Sequence, residues 1–245
     1  MTLRRALTPV LLFALSACSS QYVSCNLGQR EQTQGPDPFA TAQPVSPDAV
    51  PEGQRVVIAF LGDSLTEGLG LSLPDSFPSV LQASFIADGY GEVEVVNAGI
   101  SGDTTAGGLR RVDQLLSSNT RLLVVSLGGN DALRGLSVTQ THDNLAGIID
   151  TALAKKVNVM LTGMEAPTNL GEDYQQAFRA AFVRLSQEYR GKINYIPFLL
   201  EGVAGHPEFN QQDGIHPNVT GAKMVATTLY PQLRVIVDAL AIGRS

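Results

Sequence analysis

Ser64 lies in Gly62-Asp63-Ser64-Leu65, and His216 lies in Asp213-Gly214-Ile215-His216-Pro217. A serine hydroxyl is a poor nucleophile until a base takes its proton. The chain has 3 histidines, His142, His206 and His216. Only His216 stands three residues after a carboxylate, in a turn stiffened by glycine and proline. A carboxylate so placed can hold an imidazole in one tautomer and stabilise the charge it gains as a base. His142 is expected to be exposed at the start of a helix, and His206, before Pro207, to be a surface residue. Taken singly, Ser64 reads as a turn or N-cap serine, and Asp213 with His216 as a salt-bridged loop pair. Together they fit nucleophilic catalysis, with Ser64 attacking, His216 as general base and Asp213 as its orienting partner.

Attack on a carbonyl also needs donors for the oxyanion that develops. Three candidates stand in glycine-rich stretches: the Ser64 backbone N–H, the Gly102 backbone N–H, and the Asn130 side-chain amide in Gly128-Gly129-Asn130-Asp131. Gly102 could instead serve a turn that needs positive φ, and Asn130 could be a helix cap.

These residues need elements to bring them together. Apolar, largely β-branched runs at Val56–Leu61, Val93–Asn97, Leu122–Leu127, Val157–Leu161 and Ile193–Leu199 read as short buried strands. Helical patterns separate them at Phe77–Ala87, Thr105–Ser117, Asn144–Lys155 and Tyr174–Tyr189. A last helix is expected over Thr220–Leu240, kinked or broken at Pro231. Alternating strand and helix implies a three-layer α/β fold around a five-stranded parallel sheet. Ligands of such sheets bind beyond the carboxyl ends of the strands. The Ser64, Gly102 and Asn130 clusters each follow a strand directly, and Asp213 to Pro217 come after the fifth. Right-handed crossovers would therefore gather all four loops on one edge.

Of the 245 residues, 44% are hydrophobic and 16% charged, which suits one ordinary globular domain. A formal net charge of −6 with no basic run argues against nucleic acid as a partner. No His, Cys or Asp cluster has metal-ligand spacing, so neither metal nor cofactor is expected. Gly62, Gly68 and Gly70 are not followed by the lysine of a phosphate-binding loop. No Gly-x-Ser-x-Gly elbow surrounds Ser64.

The first residues read as an export signal. Arg4 and Arg5 precede an apolar run from Ala6 to Leu15 that is too short to span a bilayer. Leu15-Ser16-Ala17-Cys18 resembles the bacterial lipobox, which implies cleavage before Cys18, its lipidation, and anchoring of the chain in a bacterial cell envelope or periplasm. The alternative for Cys18 is a disulfide with Cys25, the only other cysteine. Residues 18–52 hold five prolines among many Gln, Ser and Thr and read as a disordered linker. As a flexible coil it would span roughly 30 Å root-mean-square. Residues 1–17 are thus expected to be a signal peptide and 53–245 the folded domain.

The strings Gly62-Asp63-Ser64-Leu65-Thr66, the Gly102 loop, Gly128-Gly129-Asn130-Asp131 and Asp213-Gly214-Ile215-His216-Pro217 resemble the four blocks of the SGNH (GDSL) hydrolases, in order. The family's S, G, N and H fall on Ser64, Gly102, Asn130 and His216, and its third triad member on Asp213. The longer strings NAGISGDTTAGGLRR, LVVSLGGNDALRG and QQDGIHPN are similar to the thioesterase I/protease I/lysophospholipase L (arylesterase) branch. The resemblance implies a flavodoxin-like sheet, no metal, and hydrolysis of acyl esters and thioesters, with the small-molecule or lipid ester as partner. Leu133, Leu136 and the loop Gly163–Leu170 are candidates for an acyl groove. The rival readings are a carbohydrate O-acetylesterase and a noncatalytic surface-binding lipoprotein.

Overall fold

A computed structural model describes residues 47–51 and 54–242. The leader, Cys18, Cys25 and most of the expected linker lie outside these residues. Pro47–Ala49, within the expected linker, forms a 3-10 turn.

Five strands, β1 (Val56–Gly62), β2 (Val93–Gly99), β3 (Thr120–Ser126), β4 (Asn158–Thr162) and β5 (Ile193–Ile196), form one sheet in the order β2-β1-β3-β4-β5. Every pairing is parallel. All seven residues of β1 are buried, as expected of a central strand covered on both faces. Seven helices accompany the sheet among the described residues: α1 (Ser64–Glu67), α2 (Phe77–Ala87), α3 (Thr105–Leu115), α4 (Gly129–Leu133), α5 (Val138–Ala154), α6 (Glu172–Glu188) and α7 (Val219–Ile242). Helix α2 packs on α7, and α3 packs on α5, which packs on α6. Right-handed crossovers put these two groups on opposite faces. The result is the three-layer, flavodoxin-like α/β fold with a five-stranded parallel sheet.

Several boundaries differ from expectation. Strand β5 ends at Ile196 rather than Leu199 because Pro197 has no N–H for the ladder. Helix α5 starts at Val138, not Asn144, since Ser137 caps it by accepting from Gln140 N. The expected exposure of His142 is therefore wrong. His142 falls on the inner face of α5, is 7% exposed, and pairs with Asp143 at 3.0 Å and with Glu188 of α6 at 3.1 Å. Helix α7 passes Pro231 without a break. Leu229, Leu233 and Val237 are buried on both sides of it, so packing outweighs one lost backbone bond.

The chain leaves β1 to add β2 on one side, then returns across β1 to add β3 on the other. That reversal opens a crevice at the carboxyl ends of β1 and β3, where ligands of such sheets bind. Helix α1 lies across the end of β2. At Gly99 a side chain would run into the backbone of Thr66 and Glu67, so the glycine permits this approach.

Candidate active site

Ser64 is the first residue of α1, directly after β1. Asp63 caps the helix, and its Oδ1 accepts from Leu65 N at 3.0 Å. The Ser64 hydroxyl meets His216 Nε2 at 2.8 Å. His216 Nδ1 meets Asp213 Oδ2 at 2.6 Å. The other carboxylate oxygen, Oδ1, accepts the backbone N–H groups of Ile215 at 2.9 Å and His216 at 3.0 Å. The His216 backbone N–H, the His216 ring and the Ile215 N–H together hold the Asp213 carboxyl down at about 2. Asp213 is thus an anion that can only accept near neutral pH, so the ring proton sits on Nδ1. Nε2 is left with a lone pair aimed at the serine hydroxyl.

The turn carrying His216 is held from several sides. Gln211 N donates to His216 O at 2.8 Å, and Gly214 N donates to Gln211 O at 3.0 Å. The Gln211 amide donates to Leu69 O at 2.7 Å and to Pro217 O at 3.0 Å. One side chain therefore joins the segment after α1 to the histidine turn.

The three residues expected to supply oxyanion donors all follow the carboxyl ends of strands, on one edge of the sheet. Asn130 is the second residue of α4, a short helix that was not expected. Its amide gives one N–H to Asp63 Oδ2 at 3.3 Å, leaving the other without a partner among the described residues. Its neighbour Asp131 is buried and accepts from Thr105 N at 2.9 Å, Thr105 Oγ1 at 2.5 Å and Thr141 Oγ1 at 3.3 Å. These bonds pin α4 to α3 and α5. Gly102 has φ +79°, inside a turn closed by Asp103 N donating to Ile100 O at 3.0 Å. Its N–H has no partner among the described residues, nor does that of Ser64. His206 does not join this group and is exposed, as expected.

A groove of about 650 Å³ runs beside these residues. Leu65, Gly129 and Ile215, neighbours of Ser64, Asn130 and His216, form its near wall. Leu133, Met164, Ala166, Pro167, Phe198 and Leu200 supply an apolar lining. Leu136 and Leu170, expected in the groove, are not in its wall. Leu136 lies past the end of α4, where its carbonyl accepts from the Tyr174 hydroxyl at 2.8 Å. Phe198 and Leu200 were missed because they follow β5 in an irregular segment, where no periodicity marks the inward side.

Asp63 also went unassigned. It is 1% exposed, and burial pushes its carboxyl up to about 6 despite the Leu65 N–H, the Asn130 amide and nearby His216. A carboxyl raised from 3.8 to about 6 takes up a proton on folding between those values. Its contribution is then most favourable below about pH 4 and is lost as pH rises through 6, a change of about 3 kcal/mol. Asp213 has the opposite sign and matters only as pH falls toward 2. Unfolding free energy measured from pH 4 to 8 should therefore fall in wild type by up to about 3 kcal/mol relative to Asp63→Asn. Parallel curves for the two proteins would overturn this account of Asp63.

Comparisons with known proteins agree with this arrangement. Residues 60–224 match the GDSL-like Lipase/Acylhydrolase family. The chain is 37% identical over 178 residues to Esterase TesA of Pseudomonas aeruginosa, covering 72% of this chain and 87% of that one. It is 35% identical over 182 residues to Thioesterase 1/protease 1/lysophospholipase L1 of Escherichia coli strain K12, covering 74% and 85%. The crystal structure of AlinE4, an SGNH-hydrolase family esterase, superposes with a TM-score of 0.61 at 37% identity, covering 75% of this chain and 97% of that one. The strand order, the four motif-bearing loops on one sheet edge and these matches lead to one conclusion: the chain belongs to the GDSL-like lipase/acylhydrolase (SGNH hydrolase) family and is a carboxylic ester hydrolase of that type.

Proposed function

We propose that the chain hydrolyses acyl esters and thioesters by two-step acyl transfer through Ser64. The observation that carries this reading is the hydrogen-bonded series from Ser64 Oγ to His216 to Asp213, beside three N–H groups that have no partner among the described residues. Ser64 Oγ bonds to the acyl carbon as its proton passes to His216 Nε2. Negative charge gathers on the carbonyl oxygen, facing the N–H groups of Ser64, Gly102 and Asn130. The tetrahedral intermediate collapses, and His216 protonates the departing alkoxide or thiolate. Water then loses a proton to His216 and attacks the acyl-enzyme, releasing the carboxylic acid and restoring the serine. Asp213 stays ionised and balances the imidazolium at each stage.

The groove fits the acyl part of the substrate through Leu133, Met164, Phe198 and Leu200, while Glu165, the charged residue in its lining, pairs with Arg179 at 2.9 Å. The names of the Escherichia coli relative extend the candidate substrates to thioesters and lysophospholipids. An acyl-chain series as p-nitrophenyl esters, acyl-CoA and lysophospholipid would identify the preferred class.

Ser64→Ala should abolish p-nitrophenyl ester hydrolysis without unfolding the protein. Turnover above a tenth of wild type would sink the assignment. Asn130→Ala should lower kcat by about 10²–10³ with a smaller change in KM, because its free N–H bonds most strongly to the charged transition state. A variant within threefold of wild-type kcat would remove Asn130 from the oxyanion site.

We further propose that the chain is exported and anchored through a lipidated Cys18, with residues 18–52 as the tether. The basic start, the short apolar run and the lipobox-like Leu15-Ser16-Ala17-Cys18 support it. One lipid chain binds a membrane only marginally, and two or more anchor stably. On fractionation of expressing cells, wild type should sediment with membranes and Cys18→Ser should be soluble. A soluble wild type would refute the anchor and leave the hydrolase untouched.

A further inference from the structure

Gly102 sits in a segment whose other backbone N–H groups are bound. Gly99 N donates to Asn97 Oδ1 at 3.0 Å, and Ile100 N donates to Gly62 O at 3.1 Å. Ser101 N donates to Glu67 Oε2 at 2.7 Å, and the Ser101 hydroxyl donates to the same oxygen. On the far side, Arg134 donates from Nη2 to Gly102 O at 2.7 Å. Arg111 of α3 closes the base of the segment, donating to Asp103 Oδ2 at 2.8 Å, Ala98 O at 2.7 Å and Gly62 O at 2.8 Å. Among the backbone N–H groups from Gly99 to Thr105, that of Gly102 alone lacks a partner among the described residues.

The two flanking bonds come from informative places. Glu67 is the last residue of α1, the helix that begins with Ser64. Arg134 follows directly on α4, the helix that carries Asn130. The peptides on either side of the Ser101–Gly102 peptide, which carries the Gly102 N–H, are thus tied to the elements that carry the nucleophile and the amide donor. A glycine at φ +79° has no side chain to hold its own orientation. Its N–H direction depends on these external bonds.

We propose that Glu67 and Arg134 are positioning residues that hold the Gly102 N–H on the developing oxyanion, one from the nucleophile helix and one from the Asn130 helix. This rests on the acyl-transfer reading above. Neither residue touches the substrate. Each acts by limiting how far the Ile100–Asp103 turn can rotate, and a donor must be aimed before the reaction to help it. The Glu67 charge itself works against a nearby oxyanion, so its benefit must come from accepting the Ser101 bonds. A neutral acceptor of the same shape should serve as well or better.

The test uses the full chain and a short-chain p-nitrophenyl ester. Glu67→Ala and Arg134→Ala should each lower kcat about 10-fold with KM within twofold of wild type. That is less than loss of a direct donor, because both clamps face solvent. Glu67→Gln should stay within threefold of wild type. The Ki of a trifluoromethyl ketone, which forms a tetrahedral oxyanion adduct, should rise in step with the fall in kcat. The double alanine variant should be no more than about twofold slower than the worse single one, since both act on one turn. Alanine variants within twofold of wild-type kcat, or a Glu67→Gln variant as slow as Glu67→Ala, would overturn the proposal. Should Glu67→Ala fail to fold, Arg134→Ala and Glu67→Gln decide it. Ser64→Ala run in parallel separates the cases: if it retains turnover, the acyl-transfer reading has failed, and if it is inactive beside unimpaired clamp variants, only the positioning role has failed.

Discussion

In the proposed mechanism, three N–H groups without a partner among the described residues must remain aimed at one point. An unpaired donor is costly when water is excluded, typically about 1–3 kcal/mol, and a mobile one is of little use to a transition state. The surrounding structure answers both demands. Close to the free donors, several neighbouring polar groups are engaged: Asp63 takes one N–H of Asn130, Asp131 takes Thr105 and Thr141, and Arg111 spans three acceptors. The switch in strand order supplies the place, because the crevice at the ends of β1 and β3 is where the backbone can leave donors facing outward.

Carboxylates carry much of this arrangement, and burial sets what each one does. Asp213 is half-exposed and bathed in N–H donors, so it remains charged and fixes the histidine tautomer. Asp63 is sealed beneath Ser64 with fewer donors, so its charge is expensive. Keeping an unfavourable carboxylate under the nucleophile trades stability for the orientation of Asn130. Glu67 lies in solvent, and its proposed work is geometric, accepting two bonds from Ser101.

The layers of the fold were legible because buried parallel strands announce themselves as continuous apolar runs, as in Val56–Leu61, Leu122–Val125 and Val159–Leu161, whereas β2, at the sheet edge, is only half-buried and carries Glu94. The sheet edge was legible for the same reason: Ser64, Gly102 and Asn130 each follow a run within a few residues. What stayed hidden depended on partners remote in sequence. His142 has one partner beside it on its own helix, but the other, Glu188, is 46 residues away. Helix α4 is too short for any apolar period, and the bonds that fix it come from α3 and α5. Glu67 and Arg134 look like ordinary surface charges until the topology sets the Gly102 turn between them. Leu136 failed as a groove residue because short loops give no register for which side chains point inward.

Ser64 and His216 stand 152 residues apart, and Gln211 reaches Leu69 across 142. The proposed nucleophile stands directly after β1, and the proposed base in a turn just before the last helix. Non-local closure of this kind comes late, because chain entropy must be surrendered before the contacts reward it. A sheet with all five strands in register would still lack a base until the histidine turn docked. A refolding chain with its sheet formed and this turn undocked would therefore be well structured but chemically silent. Turnover then reports the moment its two ends are joined, whereas a spectroscopic signal from the sheet reports an earlier event.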